Sequence, residues 1–327
     1  MNPHHVLQRR TFVAAALGSA MLGSAWGSSY PDKPIKLVLP VSPGSAIDAT
    51  ARRLGPVLEG PLGQALVVEN KPGSAGLIAT AQLVRSAADG YTLAIVASTH
   101  CITPHLYKAS FHPVQDVQPV VALTSGPLIL VVHASLPAKD VQQFVSYARS
   151  LPEKQSVAMG NPGNGTPLHI ASALMSLKGG FKALHVAYKG IGAYSTDLAG
   201  GQVMAGFLPW VAAAPLIKAG QVRALGVSTL KRLSAMPEVP TLAESGLPGF
   251  EVDGWLALIA PKGTPTAIVQ RLNAEFNNAL RAPEFERFVA DSGGAVIGGT
   301  VTDCESLFQR DFTEYGRLIA QAGIKAD

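Results

Sequence analysis

The chain has 327 residues, 47% of them hydrophobic, 15% charged and 6% aromatic, with 33 glycines and 24 prolines. That length accommodates two domains, and the composition excludes both a disordered chain and a membrane-spanning one. The formal net charge of +4 includes Arg9 and Arg10; beyond position 29, 24 basic residues face 22 acidic ones, which leaves no footprint for nucleic acid.

Residues 1–29 read as an export signal. Arg9-Arg10 precede Thr11-Phe12-Val13 and an apolar, small-residue stretch reaching Ala25, which is shorter than the roughly 20 apolar residues a bilayer requires. Gln8-Arg9-Arg10-Thr11-Phe12-Val13 is similar to a twin-arginine signal, although Gln8 stands where Ser or Thr is usual and no Lys follows Val13. An ordinary secretory signal with two arginines fits as well. Either way cleavage is expected near Ala25 or Gly27, with the remainder in the periplasm.

The apolar run 35–40 predicts a strand that ends at the loop Ser42-Pro43-Gly44-Ser45-Ala46-Ile47-Asp48. Ile47, Ala51, Leu54 and Leu58 then recur at helical spacing until Gly60-Pro61-Leu62-Gly63 stops the helix. A strand over 65–68, the loop Asn70-Lys71-Pro72-Gly73-Ser74-Ala75-Gly76, a helix to about residue 88 and a strand over 91–97 follow. Strands alternating with helices across short loops predict right-handed crossovers and a parallel sheet. Further strands are expected over 128–132, 156–159, 185–188, 204–209 and 224–227, with helices near 141–150, 167–177 and 193–199. A strand over 255–259, a long helix opened by Thr264-Pro265 and a last amphipathic helix from about residue 303 complete the pattern.

Two loops stand out because each runs straight into an apolar-periodic helix. One is the Pro43-Gly44 loop; the other is Asn161-Pro162-Gly163-Asn164-Gly165-Thr166-Pro167-Leu168-His169. A helix N-terminus presents unpaired N–H groups and a positive dipole end, so each is a candidate anion site. Ser45 and Asp48 have capping-box spacing, with Asp48 expected to reach back to the Ser45 N–H. Thr166-Pro167 reads as an N-cap and first-turn proline. Ser42, Gly44, Ser45, Ala46, Asp48, Asn161, Gly163, Asn164, Gly165, Thr166 and His169 are therefore candidate ligand contacts. Ser98 and Thr99 join them because they follow a buried strand, where open α/β sheets bind ligands. Tyr188 and Asp197 are further candidates, and Trp210 and Trp255 suit either a cleft wall or a core.

Enzymatic signatures are absent. No Gly-x-Ser-x-Gly elbow, Gly-x-Gly-x-x-Gly or phosphate-binding loop stands at a strand–helix junction, so no cofactor is expected. Cys101 and Cys304 lack metal-ligand spacing; a disulfide and two buried thiols both remain open.

The ordered motifs resemble one family over nearly the whole mature chain. They are Tyr30-Pro31-Asp32-Lys33-Pro34-Ile35, Pro43-Gly44 with Asp48 and Ala51-Arg52, Val68-Glu69-Asn70-Lys71-Pro72-Gly73, and Asp89-Gly90-Tyr91-Thr92-Leu93. Gly163-Asn164-Gly165-Thr166-Pro167-Leu168-His169, Tyr188-Lys189-Gly190, Asp197-Leu198, Val239-Pro240-Thr241-Leu242-Ala243-Glu244 and Gly254-Trp255 through Thr264-Pro265 continue them. They resemble the Bug-type extracytoplasmic solute receptors associated with tripartite tricarboxylate transporters. The resemblance implies an α/β, two-lobed type II periplasmic-binding-protein fold, each lobe a mostly parallel sheet flanked by helices. Lobe 1 would comprise 30–124 and 250–327, and lobe 2 would comprise 125–249. It implies a non-enzymatic, monomeric receptor that closes on a small organic carboxylate, held by amides, hydroxyls and waters, and serves membrane transporter subunits. A signalling adaptor and a periplasmic hydrolase are the rival readings. One departure counts: the family's first loop usually reads Pro-Gly-Gly, whereas Ser45-Ala46 follow Gly44 here.

Overall fold

The computed structural model describes residues 30–152 and 154–325, so the export signal lies outside the described residues. The chain opens with β1 (Ile35–Leu39), α1 (Ala46–Leu62), β2 (Leu66–Asn70), α2 (Leu77–Val84), β3 (Thr92–Ala97), α3 (Thr99–Ile102) and β4 (Val117–Ser125). It continues with β5 (Leu128–His133), α4 (Val141–Ser150), β6 (Val157–Asn161), α5 (Pro167–Gly179), β7 (Ala183–Ala187), α6 (Ile191–Ala199), β8 (Ala205–Pro209), α7 (Trp210–Lys218) and β9 (Val222–Val227). It ends with β10 (Leu256–Pro261), α8 (Thr266–Leu280), α9 (Pro283–Asp291), β11 (Ala295–Gly298) and α10 (Val301–Ala322). The helix expected to reach residue 88 stops at Val84, and β4, α3, α7, α9 and β11 are additional to the expected elements.

These elements form two sheets, ordered β11-β4-β10-β3-β1-β2 and β7-β6-β8-β5-β9. In the first, β1 to β4 run one way and β10 and β11 the other; in the second, only β5 is reversed. The reversals have a simple cause. The chain leaves the first sheet at the carboxyl end of β4 and enters the second where Leu128 pairs with Pro209, at the carboxyl end of β8. It returns from the carboxyl end of β9 and re-enters the first sheet where Leu256 pairs with Ala97, at the end of β3. A strand that enters at the carboxyl edge must run against its neighbours. Both crossings thus join the same edges, and the carboxyl edges of the two sheets face each other.

The two crossings are paired backbone to backbone. Gly254 N–H donates to Gly126 O at 3.0 Å, and Gly126 N–H donates to Asp253 Oδ1 at 2.7 Å. Ser228, fully buried, accepts from Leu128 N–H at 3.0 Å and donates to Val252 O at 2.5 Å. Burial holds the Asp253 carboxyl above its usual range, against hydrogen bonds from Ser125 and Gly126. A Cβ on Gly126 would lie 2.8 Å from Gly254 O, where no side chain can yield. Gly126→Ala is therefore expected to cost about 1–3 kcal/mol as an overpacking change, checked by denaturant unfolding.

The first sheet is buried on both faces, as its near-continuous apolar strands require. Ile35, Leu37 and Leu39 face a core shared with α1, α8 and α9, whereas Val38 faces a second core that runs on into the other lobe. The bridge is α10, which packs against β4 and α3 on one side and α5 on the other. At its centre Trp255, fully buried, lies 5.0 Å from the Phe308 ring and donates from Nε1 to Asp311 Oδ2 at 2.6 Å. Cys101 and Cys304 are free buried thiols beside this junction; burial pushes Cys304 up to about 12 and raises Cys101 well above its ordinary value.

Candidate functional site between the lobes

On the first lobe, the loop after β1 is built around Asp48. Gly44 takes a left-handed φ of 83°, which turns its N–H onto Asp48 Oδ2 at 3.0 Å. Arg52 Nε also donates to Oδ2 at 2.9 Å, and Asn70 Nδ2, at the end of β2, donates to Oδ1 at 3.0 Å and to Val41 O at 3.1 Å. The Asp48 partner is thus Gly44, not Ser45 as the capping-box spacing suggested, because the loop's turn at Gly44 brings that amide round. These donors hold the Asp48 carboxyl far below the usual carboxylate range, Arg52 first among them. Asp48 spends its oxygens inside the protein and shapes the loop.

Ser45 caps α1 by accepting from Asp48 N–H at 3.3 Å. Its φ of −76° and ψ of 166° suit any residue, so the backbone requires no second glycine at this position. Ser42, Gly44 and Ala46 are exposed and Ser45 is half-buried. The N–H groups of Ala46 and Ile47 open the helix and have no intrahelical acceptor.

Ser98 and Thr99 follow β3. Ser98 N–H is tied to Trp255 O at 3.0 Å, and its hydroxyl is 0% exposed with no partner within the described protein. A small pocket beside them is lined by Pro40, Ala75, Gly76, Thr99, His100 and Thr103. By sequence the loop that supplies Ala75 is only a connection, yet Ser74 and Ala75 both hold positive φ, at 46° and 49°. Two such non-glycine residues store of order 1–3 kcal/mol each, a cost that clusters at functional loops. Its Pro72-Gly73 pair, the same signal carried by the other two loops, was the clue available in the sequence.

On the second lobe, the parallel strands β6, β7 and β8 end side by side, with Asn161 opposite Ala187 and Gly160 opposite Gly206. Asn161 Oδ1 accepts Gly163 N–H at 3.0 Å, while its Nδ2, on a residue 0% exposed, has no partner within the described protein. Thr166 caps α5: Oγ1 accepts from His169 N–H at 3.3 Å and donates to Gly163 O at 2.8 Å. Gly165, at φ 73°, donates its N–H to His169 Nδ1 at 3.2 Å, which places the ring proton on Nε2. Asn164 is half-buried in the same turn. His169 is buried against His185, ring centroids 4.9 Å apart, and burial lowers the His185 pKa. Tyr188 N–H donates to Asn161 O at 2.9 Å, and burial followed by the hydrogen bond with Asp197 holds its phenol above the ordinary value.

The structure therefore gathers Ser42 to Asp48 with Asn70 on one edge and Ser98 with Thr99 beside them. Asn161 to His169 gather with Tyr188 and, through it, Asp197 on the other edge. The edges meet at two points. A Cβ on Gly165 would lie 2.4 Å from Leu106, across the lobes, and one on Gly293 would lie 2.2 Å from Trp210. Six helices, α1, α2, α3, α5, α6 and α7, start on these facing edges. Longer members of the set offer unpaired N–H groups and positive dipole ends, the chemistry of an anion site. Among the described residues no cluster of metal-ligating side chains accompanies them, and no helix is long and apolar enough to cross a membrane.

Comparison with known proteins agrees with this arrangement. Residues 50–324 match the family described as tripartite tricarboxylate transporter family receptor. A UPF0065 protein in the tcbD-tcbE intergenic region of Pseudomonas sp. is 36% identical over 324 residues, 97% of this chain and 96% of that protein. Protein BugT of Bordetella pertussis is 31% identical over 317 residues, 96% of each chain. A solved structure of R. palustris Rpa4515 with adipate superposes with a TM-score of 0.76 at 31% identity, covering 91% of this chain and all of that one. The fold is thus the two-lobed periplasmic-binding-protein architecture that the motifs implied. The chain belongs to the tripartite tricarboxylate transporter receptor family, a family of solute-binding receptors and not of enzymes.

Proposed function

We propose that this chain is an exported periplasmic receptor that captures a small carboxylate between lobe 1 (30–124 and 250–327) and lobe 2 (125–249). It delivers the ligand, as a monomer, to the membrane subunits of a tripartite tricarboxylate-type transporter. Residues 1–29 serve as the export signal, cleaved near Ala25 or Gly27. The observation that carries the reading is the pair of facing edges, each with a capped helix N-terminus and a buried donor lacking a protein partner, Ser98 Oγ and Asn161 Nδ2. Buried polar groups are almost always satisfied, so these two call for a ligand or the waters that accompany one. Ser42, Gly44, Ser45, Ala46, Thr99, Gly163, Asn164, Gly165 and Thr166 form the ligand surface. Asp48, His169, Tyr188 and Asp197 hold that surface in place. A carboxylate bound by N–H donors gains charge-assisted hydrogen bonds of roughly twice the neutral strength. Adipate, the molecule in the R. palustris structure, is one acid of the class to which this reading applies.

Calorimetry of the mature chain against a panel of mono-, di- and tricarboxylates tests the reading, and at least one must bind. Thr166→Ala removes a cap worth about 1 kcal/mol and frees the Gly163 carbonyl. It is expected to weaken ligand binding by about tenfold, the order of one charge-assisted hydrogen bond. Thr166→Ser, which keeps the hydroxyl, retains both stability and affinity. Unchanged affinity in the alanine variant would remove the second loop from the site.

A further inference from the structure

The facing edges carry anion donors but few cations. The turns after β1, β3, β6 and β8, residues 40–45, 98–99, 162–166 and 209–210, contain no Lys or Arg. Nearby cations are engaged: Arg52 lies 2.9 Å from Asp48, and Lys71 lies 3.4 Å from Glu69. Lys189, exposed after β7, is the cation that the second lobe's parallel edge adds. Such a surface matches one carboxylate well and a second or third poorly, because each added charge would be desolvated without a counter-ion.

What the second edge offers beside its donors is apolar. Trp210 opens α7 directly after β8 and is half-buried, pressed against Gly293 of the first lobe. Val211 is 61% exposed, and Ile191, at the start of the neighbouring α6, is 38% exposed. Large apolar side chains grouped in the open at a cleft mark a binding surface.

Resting on the carboxylate reading above, we propose that the ligand carries a single carboxylate on an aromatic or branched apolar body. The carboxylate end takes the Ala46 and Ile47 amides that open α1 and the unpartnered donors Ser98 Oγ and Asn161 Nδ2, and the body lies against Trp210 with Ile191 and Val211 beside it. Specificity then comes from the apolar wall, while the amide donors accept any carboxylate end.

The test is calorimetry of the mature chain with benzoate, phenylacetate, adipate and citrate. Benzoate or phenylacetate is expected to bind at least about tenfold more tightly than adipate or citrate. Trp210→Ala should cut that affinity by about tenfold and Trp210→Phe by less than about threefold, since an aromatic face survives. Val211→Ser, at an exposed position that cannot threaten folding, should cost the monocarboxylate about threefold. Tighter binding of adipate or citrate overturns this inference and leaves the receptor reading intact. So does benzoate affinity that survives both Trp210→Ala and Val211→Ser. Failure of all four acids and of the wider panel above to bind overturns the carboxylate reading itself, whereas binding of a di- or tricarboxylate from that panel alone overturns only this inference.

Discussion

Trp255→Ala is expected to destabilise the protein by about 3–5 kcal/mol, as large-to-small changes at fully buried aromatic positions do. The indole fills the junction where β10 leaves the crossing, against Phe308 of α10, and its loss opens a cavity between elements that belong to both lobes. Trp255→Phe separates packing from polarity. It keeps most of the ring but strips Asp311, 6% exposed, of its 2.6 Å donor, leaving Arg310 Nε at 2.8 Å as the remaining partner. That orphaning should cost about 1–3 kcal/mol, and adding Asp311→Asn should recover part of it. Urea unfolding of the three variants measures each step. A Trp255→Ala penalty below 1 kcal/mol would mean that the junction is not packed as described. Because Trp26, Trp210 and Trp255 are the chain's three tryptophans, Trp210→Phe also leaves Trp255 as the sole reporter of the junction in a chain that starts at residue 30.

This junction also sets how the two lobes are joined. One continuous core passes through α10, so the lobes are not two bodies joined by bare linkers. The paired crossings carry the least side-chain bulk at Gly126 and Gly254, and α10 packs against α5 across the lobes.

Local chemistry was legible in the sequence; long-range pairing was not. The Pro-Gly loops, the caps Ser45 and Thr166 and the apolar stripes of α1, α8 and α10 announce themselves because capping and periodicity act within a few residues. β4 escaped because Pro119 argues against an interior strand. The structure resolves the conflict: β11 pairs only with the Ala122–Ser125 end of β4, so Pro119 sits where β4 has a neighbour on one side only, β10. β11 itself has four residues, and α7 follows its strand without a capping side chain, so neither gives a strong signal. In the first loop, the S-x-x-D spacing pointed to Asp48 as a member of the turn but not to its partner, since only the left-handed turn at Gly44 decides which amide arrives. Asn70 and Leu106 could not be found at all: one meets Asp48 across 22 residues, the other meets Gly165 across the lobes.

Asp48→Ala is expected to weaken ligand binding by about 100-fold, the scale of loss when a positioned group shifts by about 1 Å. The carboxylate fixes Gly44 and Arg52 through Oδ2 and Asn70 through Oδ1, so one truncation releases the turn, the helix start and the tie to β2 together. Asp48→Asn keeps the shape and one carbonyl acceptor but loses the charge that Arg52 pairs with, and should fall between wild type and alanine. The pH dependence has a defined sign. A carboxyl depressed in the folded state contributes stability that is fully present above its unfolded pKa of about 3.9, declines as pH drops below that value and is gone once pH is below the folded one. Since Asp48 is held far below the usual range, the stability gap between wild type and Asp48→Asn should be constant from neutrality to about pH 4 and shrink only under stronger acid. Denaturant unfolding of the two proteins across that range measures the gap. Were the gap to stay unchanged as pH falls below about 4, the carboxyl would titrate alike in the folded and unfolded chain, and the clamp on the first loop would not exist.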